Sequence, residues 1–336
     1  MTIEIIQSGS DFLNLKKEWN THLIKSASHV PFLRHEYLTS WWSTLGGGEW
    51  EQGELLILIS RDQSNLLQGI APFFLKNQRI LFLGSHQISD YLDLIAGPDA
   101  LVDFITEIFE FLQSAESPAW QVLDLFNLLE DSPTIPLLHK AAESNGWFIK
   151  QEVLGPAPFL RLPDSWEDYL NQLDDRYRHE IERKNRRAEN YFLPVNWYIV
   201  EDEKQLDQEL ESFLELMAHN PEKGSFLTER MISQIKSSAR EAFLAGWLQL
   251  AFLTVGNIKA AGYLNFDYDG KIWVYNSGIN PMFENISPGW VLLSKIIQWS
   301  IEAGRTELDF MRGDETYKYN FGGIDKQVHR IQVSRK

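Results

Sequence analysis

Cysteine does not occur among the 336 residues, which excludes a disulfide framework, a thiolate zinc site and a cysteine nucleophile. Long apolar runs are missing as well. No stretch approaches the roughly 18 uncharged apolar residues of a membrane helix. The opening Met1–Ser10 has neither a basic segment nor a sustained apolar one, so the expectation is a soluble, unexported, cytoplasmic chain. Positive charge is scarce: 31 Lys and Arg against 47 Asp and Glu give a net charge of −16, which argues against a broad nucleic-acid surface. What is plentiful is apolar and aromatic material, 44% hydrophobic with 12 Trp and 20 Phe, enough for two sizeable cores in a chain of this length.

The most organised stretch runs from Ile272 to Gly323. A β-branched and aromatic run, Ile272–Ile279, predicts a strand stopped by Asn280-Pro281, since proline cannot donate to a ladder. A helix is expected from Ser287-Pro288-Gly289, with serine as N-cap and proline in the first turn. Val291, Leu292, Ile296 and Trp299 recur at helical spacing, and Gly304 suits the position after the helix. A second strand, Glu307–Met311, and a polar loop follow. A strand that turns through small residues into a helix N-terminus offers free N–H groups and the positive end of the helix dipole, an arrangement suited to a phosphate.

The chain repeats itself. Leu55 answers Leu248, Gly69 answers Gly262 and Leu13 answers Leu206, each 193 residues on, and Phe32 answers Phe226 at nearly the same spacing. Leu123-Asp124-Leu125-Phe126 answers Leu308-Asp309-Phe310-Met311, with a shorter offset that a changed connection explains. The order of expected elements agrees in both halves, so the chain reads as a duplicated α/β unit. The expected division is 1–160, a helical connecting segment 161–190, and 191–336.

That connecting segment, Asp164–Ala188, is amphipathic. Trp166, Leu170, Leu173, Tyr177, Ile181 and Ala188 fall within about 80° of arc at 100° per residue, in one long helix or in two broken near Asp174. Its second half is basic on an otherwise acidic chain. Lys184 lies inside the apolar arc and Arg178 borders it, so these two are expected to meet either acidic residues or a ligand, while Arg183 and Arg186 point away.

The run F-M-R-G-D-E-T-Y-K-Y-N-F-G at 310–322, the preceding S-P-G-x-x-L-L helix start and Tyr177-Arg178 with its basic helix resemble the CelD/BcsL-type acetyltransferases of the GNAT superfamily, which are akin to the FemABX transferases. P-F-L-R-H-E-Y-L-T-S-W-W, G-I-A-P-F-F-L and S-D-Y-L-D in the first half are similar to that family too. The resemblance implies a fold of α/β class with mixed sheets in tandem GNAT-like domains, the first without a donor site and the second binding acyl-CoA. An amine or sugar hydroxyl acceptor, in a cell-envelope or polysaccharide precursor, would occupy the cleft, and no metal is implied. The superfamily's phosphate loop, Q/R-x-x-G-x-G/A, is reduced here to Glu284-Asn285-Ile286-Ser287-Pro288-Gly289.

Acyl transfer to an amine needs alignment, a polarised carbonyl, a deprotonated amine and a protonated leaving group. Arg312, Asp314, Tyr317 and Lys318 follow only the second copy of the repeated strand, which favours them as catalytic candidates. Arg312 or Lys318 would clamp an anion, Asp314 would orient the amine or take its proton, and Tyr317 would protonate the leaving group. Asp309 is a further candidate base, but its counterpart Asp124 occupies the copy without the polar loop, which points to a structural role. Tyr275, Asn276 and Ser277 would flank the acyl group, and Ser287, Pro288, Gly289 and Trp290 would meet the donor's phosphates. The polar loop Ser85–Asp93, with Asp90 and Tyr91, would add to the acceptor site. Two other functions stay open: an aminoacyl-tRNA-dependent transferase of FemABX type, docked by the basic helix, and a catalytically inactive two-domain binding protein.

Overall fold

Strands form where β-branched and aromatic residues cluster, and the computed structural model describes residues 2–84 and 86–335. In chain order the strands of the first half are β1 (Thr2–Ile6), β2 (Glu54–Arg61), β3 (Leu67–Lys76), β4 (Arg79–Phe82), β5 (Ile95–Ala96) and β6 (Val122–Leu129). They lie in the order β1-β2-β3-β4-β6, antiparallel except for the parallel pair β4/β6, with the short β5 on β3. After β7 (Phe148–Arg161) come β8 (Val195–Ile199), β9 (Leu248–Val255), β10 (Ile258–Tyr268), β11 (Lys271–Ile279) and β12 (Glu307–Asp309). Their order is β8-β9-β10-β11-β12-β7, again antiparallel except for one parallel pair, β11/β12. Among the described residues no helix is long and apolar enough to cross a membrane.

The two halves are thus the same α/β arrangement built twice. In each, the parallel pair is bridged by a helix, Leu101–Gln113 in the first and Pro288–Glu302 in the second. Ile95–Ala96 pairs with Ile70 and Gly69 as Ser277 and Gly278 pair with Tyr263 and Gly262. The repeated glycine has a packing reason in both copies. A Cβ on Gly69 would come within 2.5 Å of the Phe104 ring, and one on Gly262 within 3.0 Å of the Phe252 ring.

The compact units are Met1–Pro156 with Lys326–Lys336, and Ala157–Asp325, which differs from the expected division. The connecting helices belong to the second unit because Tyr169, Leu173, Ile181 and Ala188 are buried in its core. The terminal strand β13 (Ile324–Ser334) pairs antiparallel with β6, so residues 326–336 complete the first unit. Periodicity marks a strand but not the sheet edge that will accept it. The amphipathic segment is two helices, Trp166–Gln172 and Asp175–Glu189, and the Asp174 side chain caps the second by accepting from Arg176 N at 2.9 Å.

Two local expectations change. Ser287 sits at the N-cap of its helix, but in the left-handed conformation (φ 53°, ψ 57°), and its side chain makes no capping bond. β12 ends at Asp309 rather than Met311, because the Asp309 carboxylate accepts from Met311 N at 2.7 Å and Met311 takes φ 64°. The polar loop that follows contains a short helix, Thr316–Asn320.

Candidate functional site

In the second unit, β11 and β12 are paired only over 271–273 and 307–309. β11 then runs on to Ile279 without β12 beside it. Parallel strands that part at their C-terminal ends leave a wedge, the place where open α/β sheets receive ligands. Within that free stretch, Leu264 pairs with Asn276 while Asn265 pairs with Val274, so Tyr275 is the extra residue of a bulge. A bulge re-aims backbone groups locally.

A cleft of about 500 Å³ opens along this edge, lined by Ser277, Gly278 and Ile279 from β11, by Ser287, Pro288, Gly289 and Trp290, and by Lys184, His219 and Lys223. Its walls are set by close approach. A Cβ on Gly278 would lie 2.5 Å from the backbone of Leu216 and Met217, so only glycine lets β11 lie against the helix Glu203–Ala218. One on Gly289 would lie 2.7 Å from Ile279 Cδ1. With Ser287 not capping and Pro288 lacking an N–H, the helix presents its first-turn amides to the cleft side without a side-chain acceptor from Ser287, which is the electrostatic prerequisite for anion binding.

The basic helix meets this loop. Asn185 and Ser294 exchange side-chain hydrogen bonds of 2.9 and 3.0 Å, and Arg187 Nη1 donates to Asn285 O at 2.9 Å. Lys184 Nζ stands 3.8 Å from the Trp290 ring centroid and 3.4 Å from Glu180 Oε1. Burial draws its pKa below the usual lysine value, against the pull of Glu180. Arg178 turns elsewhere: its guanidinium pairs with Asp175 at 2.8 Å and reaches Asn171 Oδ1 at 3.4 Å. Of the two outcomes expected for it, acidic residues or a ligand, the structure shows the first. Arg183 and Arg186 pair outward with Glu180 and Glu182.

The candidates after β12 are arranged differently from expectation, and none of them lines the cleft. Lys318 is only 2% exposed. Its ammonium donates to the carbonyls of Met311 (3.0 Å), Arg312 (2.7 Å) and Gly313 (3.2 Å) and lies 2.8 Å from Glu315. An ammonium has three protons, so Lys318 is the internal fastener of its loop and not an anion clamp. Tyr317 packs edge-on against Phe310, its ring centroid 6.3 Å away, and burial together with Glu315 pushes its hydroxyl's pKa well up. Asp314 is exposed and Arg312 half-buried. Asp309 is buried and turns the chain.

The first-unit loop is tied down by its own unit. Tyr37 donates to Ile88 O at 2.7 Å, Ser89 to Gly84 O at 2.8 Å and Asn127 to Ser89 O at 2.6 Å. Tyr91 is a core residue, its ring set edge-on 6.4 Å from Phe32, and so is removed from the acceptor candidates. Asp90 is half-buried, and Ser85 lies outside the described residues.

The structure therefore gathers Lys184, Ser277, Ser287, Pro288, Gly289 and Trp290 in one place. It adds Lys223, His219 and Asn220, which sequence reasoning missed. Their one signal was the Asn220-Pro221 helix start, where Asn220 Oδ1 accepts from Glu222 N and Lys223 N.

The acetyltransferase (GNAT) domain family matches residues 175–319. No curated protein sequence matches the chain. Among solved structures, FemX is similar over 98% of this chain and 97% of its own, with a TM-score of 0.67 at 12% identity. A conserved protein of unknown function from Bacteroides thetaiotaomicron VPI-5482 is similar over 100% of both chains, with a TM-score of 0.63 at 10% identity. L-PGS from Bacillus licheniformis is similar over 95% of this chain and 91% of its own, with a TM-score of 0.59 at 10% identity. Residues 175–319 thus carry a GNAT-type fold, the first half repeats the same mixed α/β arrangement, and the matched domain supports N-acyl transfer.

Proposed function

We propose that the second unit transfers an acyl group from acyl-CoA, with acetyl-CoA the first donor to test, to an amine or hydroxyl of a cell-envelope or polysaccharide precursor. The observation that carries this reading is the uncapped N-terminus of a 15-residue helix opening onto the wedge beyond the β11/β12 pair. The amides of Gly289 and Trp290, with Lys184, suit the donor's diphosphate. Backbone groups at the Tyr275 bulge suit the acyl carbonyl, whose oxygen gains negative charge as the amine attacks. Formation of the C–N bond releases a proton and breakage of the C–S bond requires one. We assign the first to Asp314, exposed on the loop after β12, and the second to Tyr317, kept protonated by burial.

We read the first unit as the half without a donor site. Its equivalent helix begins after Gly97-Pro98-Asp99 and carries Asp103 in the first turn, and carboxylates there compete with a phosphate for the positive end of the dipole. Fold similarity to FemX keeps the aminoacyl-tRNA reading as the second choice, yet the outward arginines already have acidic partners on their own helix.

Titration calorimetry with acetyl-CoA tests the donor. Binding in the micromolar range is expected, about −8 kcal/mol. Lys184 and Lys223 both have pKa values drawn below the ordinary lysine range, by burial first. The ammonium form attracts the donor, so affinity should fall as pH rises through those lowered values, earlier than ordinary lysines would dictate. Lys184→Gln should weaken binding about tenfold, or 1.4 kcal/mol, whereas Arg178→Gln and the pair Arg183→Gln with Arg186→Gln should stay within about twofold, as exposed ion pairs contribute little. Salt-sensitive tRNA binding lost with the outward pair, and no heat from acetyl-CoA, would replace this reading by the second.

A further inference from the structure

Lys223 belongs to no expected site, yet its ammonium reaches the free stretch of β11. It sits in the first turn of the short helix Pro221–Phe226, pinned by Asn220 Oδ1, which accepts from Lys223 N at 3.1 Å. From there its ammonium donates to Ser277 O at 2.6 Å and to Asn276 Oδ1 at 2.9 Å. The same Asn276 oxygen accepts from Ser277 N at 2.9 Å. All of this lies just past the bulge at Tyr275, where β12 no longer pairs with β11. An unpaired strand-edge carbonyl is left to water or to a chance partner. Here a charged, half-buried donor satisfies it.

Lys223 also lies within electrostatic reach of the loop after β12. Glu315 acts electrostatically on Lys223, and Glu315 is bonded to Lys318, which gathers the carbonyls of 311–313. The third proton of the Lys223 ammonium has only a weak contact, 3.5 Å to Ser277 Oγ, which leaves a donor facing a cleft that Lys223 itself lines. We infer that Lys223 is a positioning residue of the transfer reaction, fixing the bulged edge of β11 on which the acyl group would lie and keeping one N–H for a ligand oxygen. This rests on the donor reading given above.

The test compares Lys223→Met, which keeps the stem and removes the charge, with Lys223→Arg, which keeps both charge and donors, in the full chain. Hydrogen exchange of the 276–279 amides, calorimetry with acetyl-CoA and thermal melting are read on each. Lys223→Met should exchange at least tenfold faster at 276–279 and bind acetyl-CoA at least tenfold more weakly with a melting temperature close to wild type. Lys223→Arg should stay within threefold of wild type in both. Unchanged local exchange overturns the inference, as does a loss of global stability without a local change. If wild type gives no heat with acetyl-CoA, the donor reading fails by itself, and the exchange at 276–279 still decides whether Lys223 holds the strand. Should Lys223→Met not fold, Lys223→Gln, able to serve only part of the two acceptors, is read in the same way with an intermediate effect expected.

Discussion

Asp124→Asn is expected to lower the thermal unfolding midpoint by about 6–12 °C, while Asp309→Asn, at the repeated position, shifts it by no more than a few degrees. The Asp124 carboxylate is fully buried and accepts two hydrogen bonds from Arg330, at 2.7 and 2.9 Å, and one from Arg79. Burial alone would raise its pKa, but the two guanidinium groups outweigh that and hold the carboxyl below its ordinary range. Arg330 lies on β13 and Asp124 on β6, so the pair latches the returning end of the chain to the first unit's sheet. Replacing the anion leaves two cations around a neutral amide. Removing one partner of a buried pair costs about 3 kcal/mol, and 1 kcal/mol corresponds to about 2–4 °C in a unit of this size.

The sign of the pH dependence follows from the lowered pKa. The carboxylate's contribution is fully present above the unfolded pKa, about 3.9, and is lost as pH falls through the lower folded value. Wild type and Asp124→Asn should therefore differ fully at neutral pH and converge in strong acid. Asp309 has another task, accepting from Met311 N at the end of β12, and asparagine keeps an acceptor there. Melting curves at neutral and acid pH check both variants. Loss of transfer in Asp309→Asn at unchanged stability would instead make Asp309 the base.

The repeat was readable because it rests on packing requirements that recur at fixed spacing. Gly69 and Gly262 each leave room for an aromatic ring, and Leu55 and Leu248 each open a central strand. The turn into the helix Pro288–Glu302 was readable for a similar reason, as proline, glycine and serine at a helix start carry backbone geometry that composition reveals. Partner choice was not readable. Asp124 and Asp309 share a position in the repeat, but the arginines on Asp124 come from β4 and from the chain's last strand. Lys318 read as an anion clamp in a polar run, and only the curl of 311–318 around its ammonium shows why it is buried. For Arg178 the wheel left acidic residues and a ligand both open, and its neighbour Asp175 takes it, while Lys223 escaped notice because its partners lie more than fifty residues away on β11.

Gly289→Glu should abolish most donor binding, lowering acetyl-CoA affinity roughly a hundredfold, or about 2.7 kcal/mol. The new carboxylate would stand in the first turn of the helix Pro288–Glu302, where the dipole favours it and the helix is not weakened electrostatically. That same preference makes it a resident competitor for the diphosphate. Lys184, over the neighbouring Trp290 ring, would pair with it and be withdrawn from the ligand. A steric part must be separated from this charge effect, because any Cβ at residue 289 approaches Ile279 Cδ1 at 2.7 Å. Gly289→Ala carries the steric part alone, and since the crowded atom is the tip of a flexible side chain, a loss of about threefold to tenfold is expected. Adding Ile279→Val deletes the crowded methyl and should return Gly289→Ala to near wild-type affinity without rescuing Gly289→Glu. Calorimetry on wild type and the four variants, with melting curves to confirm folding, reads the result. Equal affinity in wild type and Gly289→Glu would remove this helix terminus from the donor site, and rescue of Gly289→Glu by Ile279→Val would show that the loss was crowding and not charge.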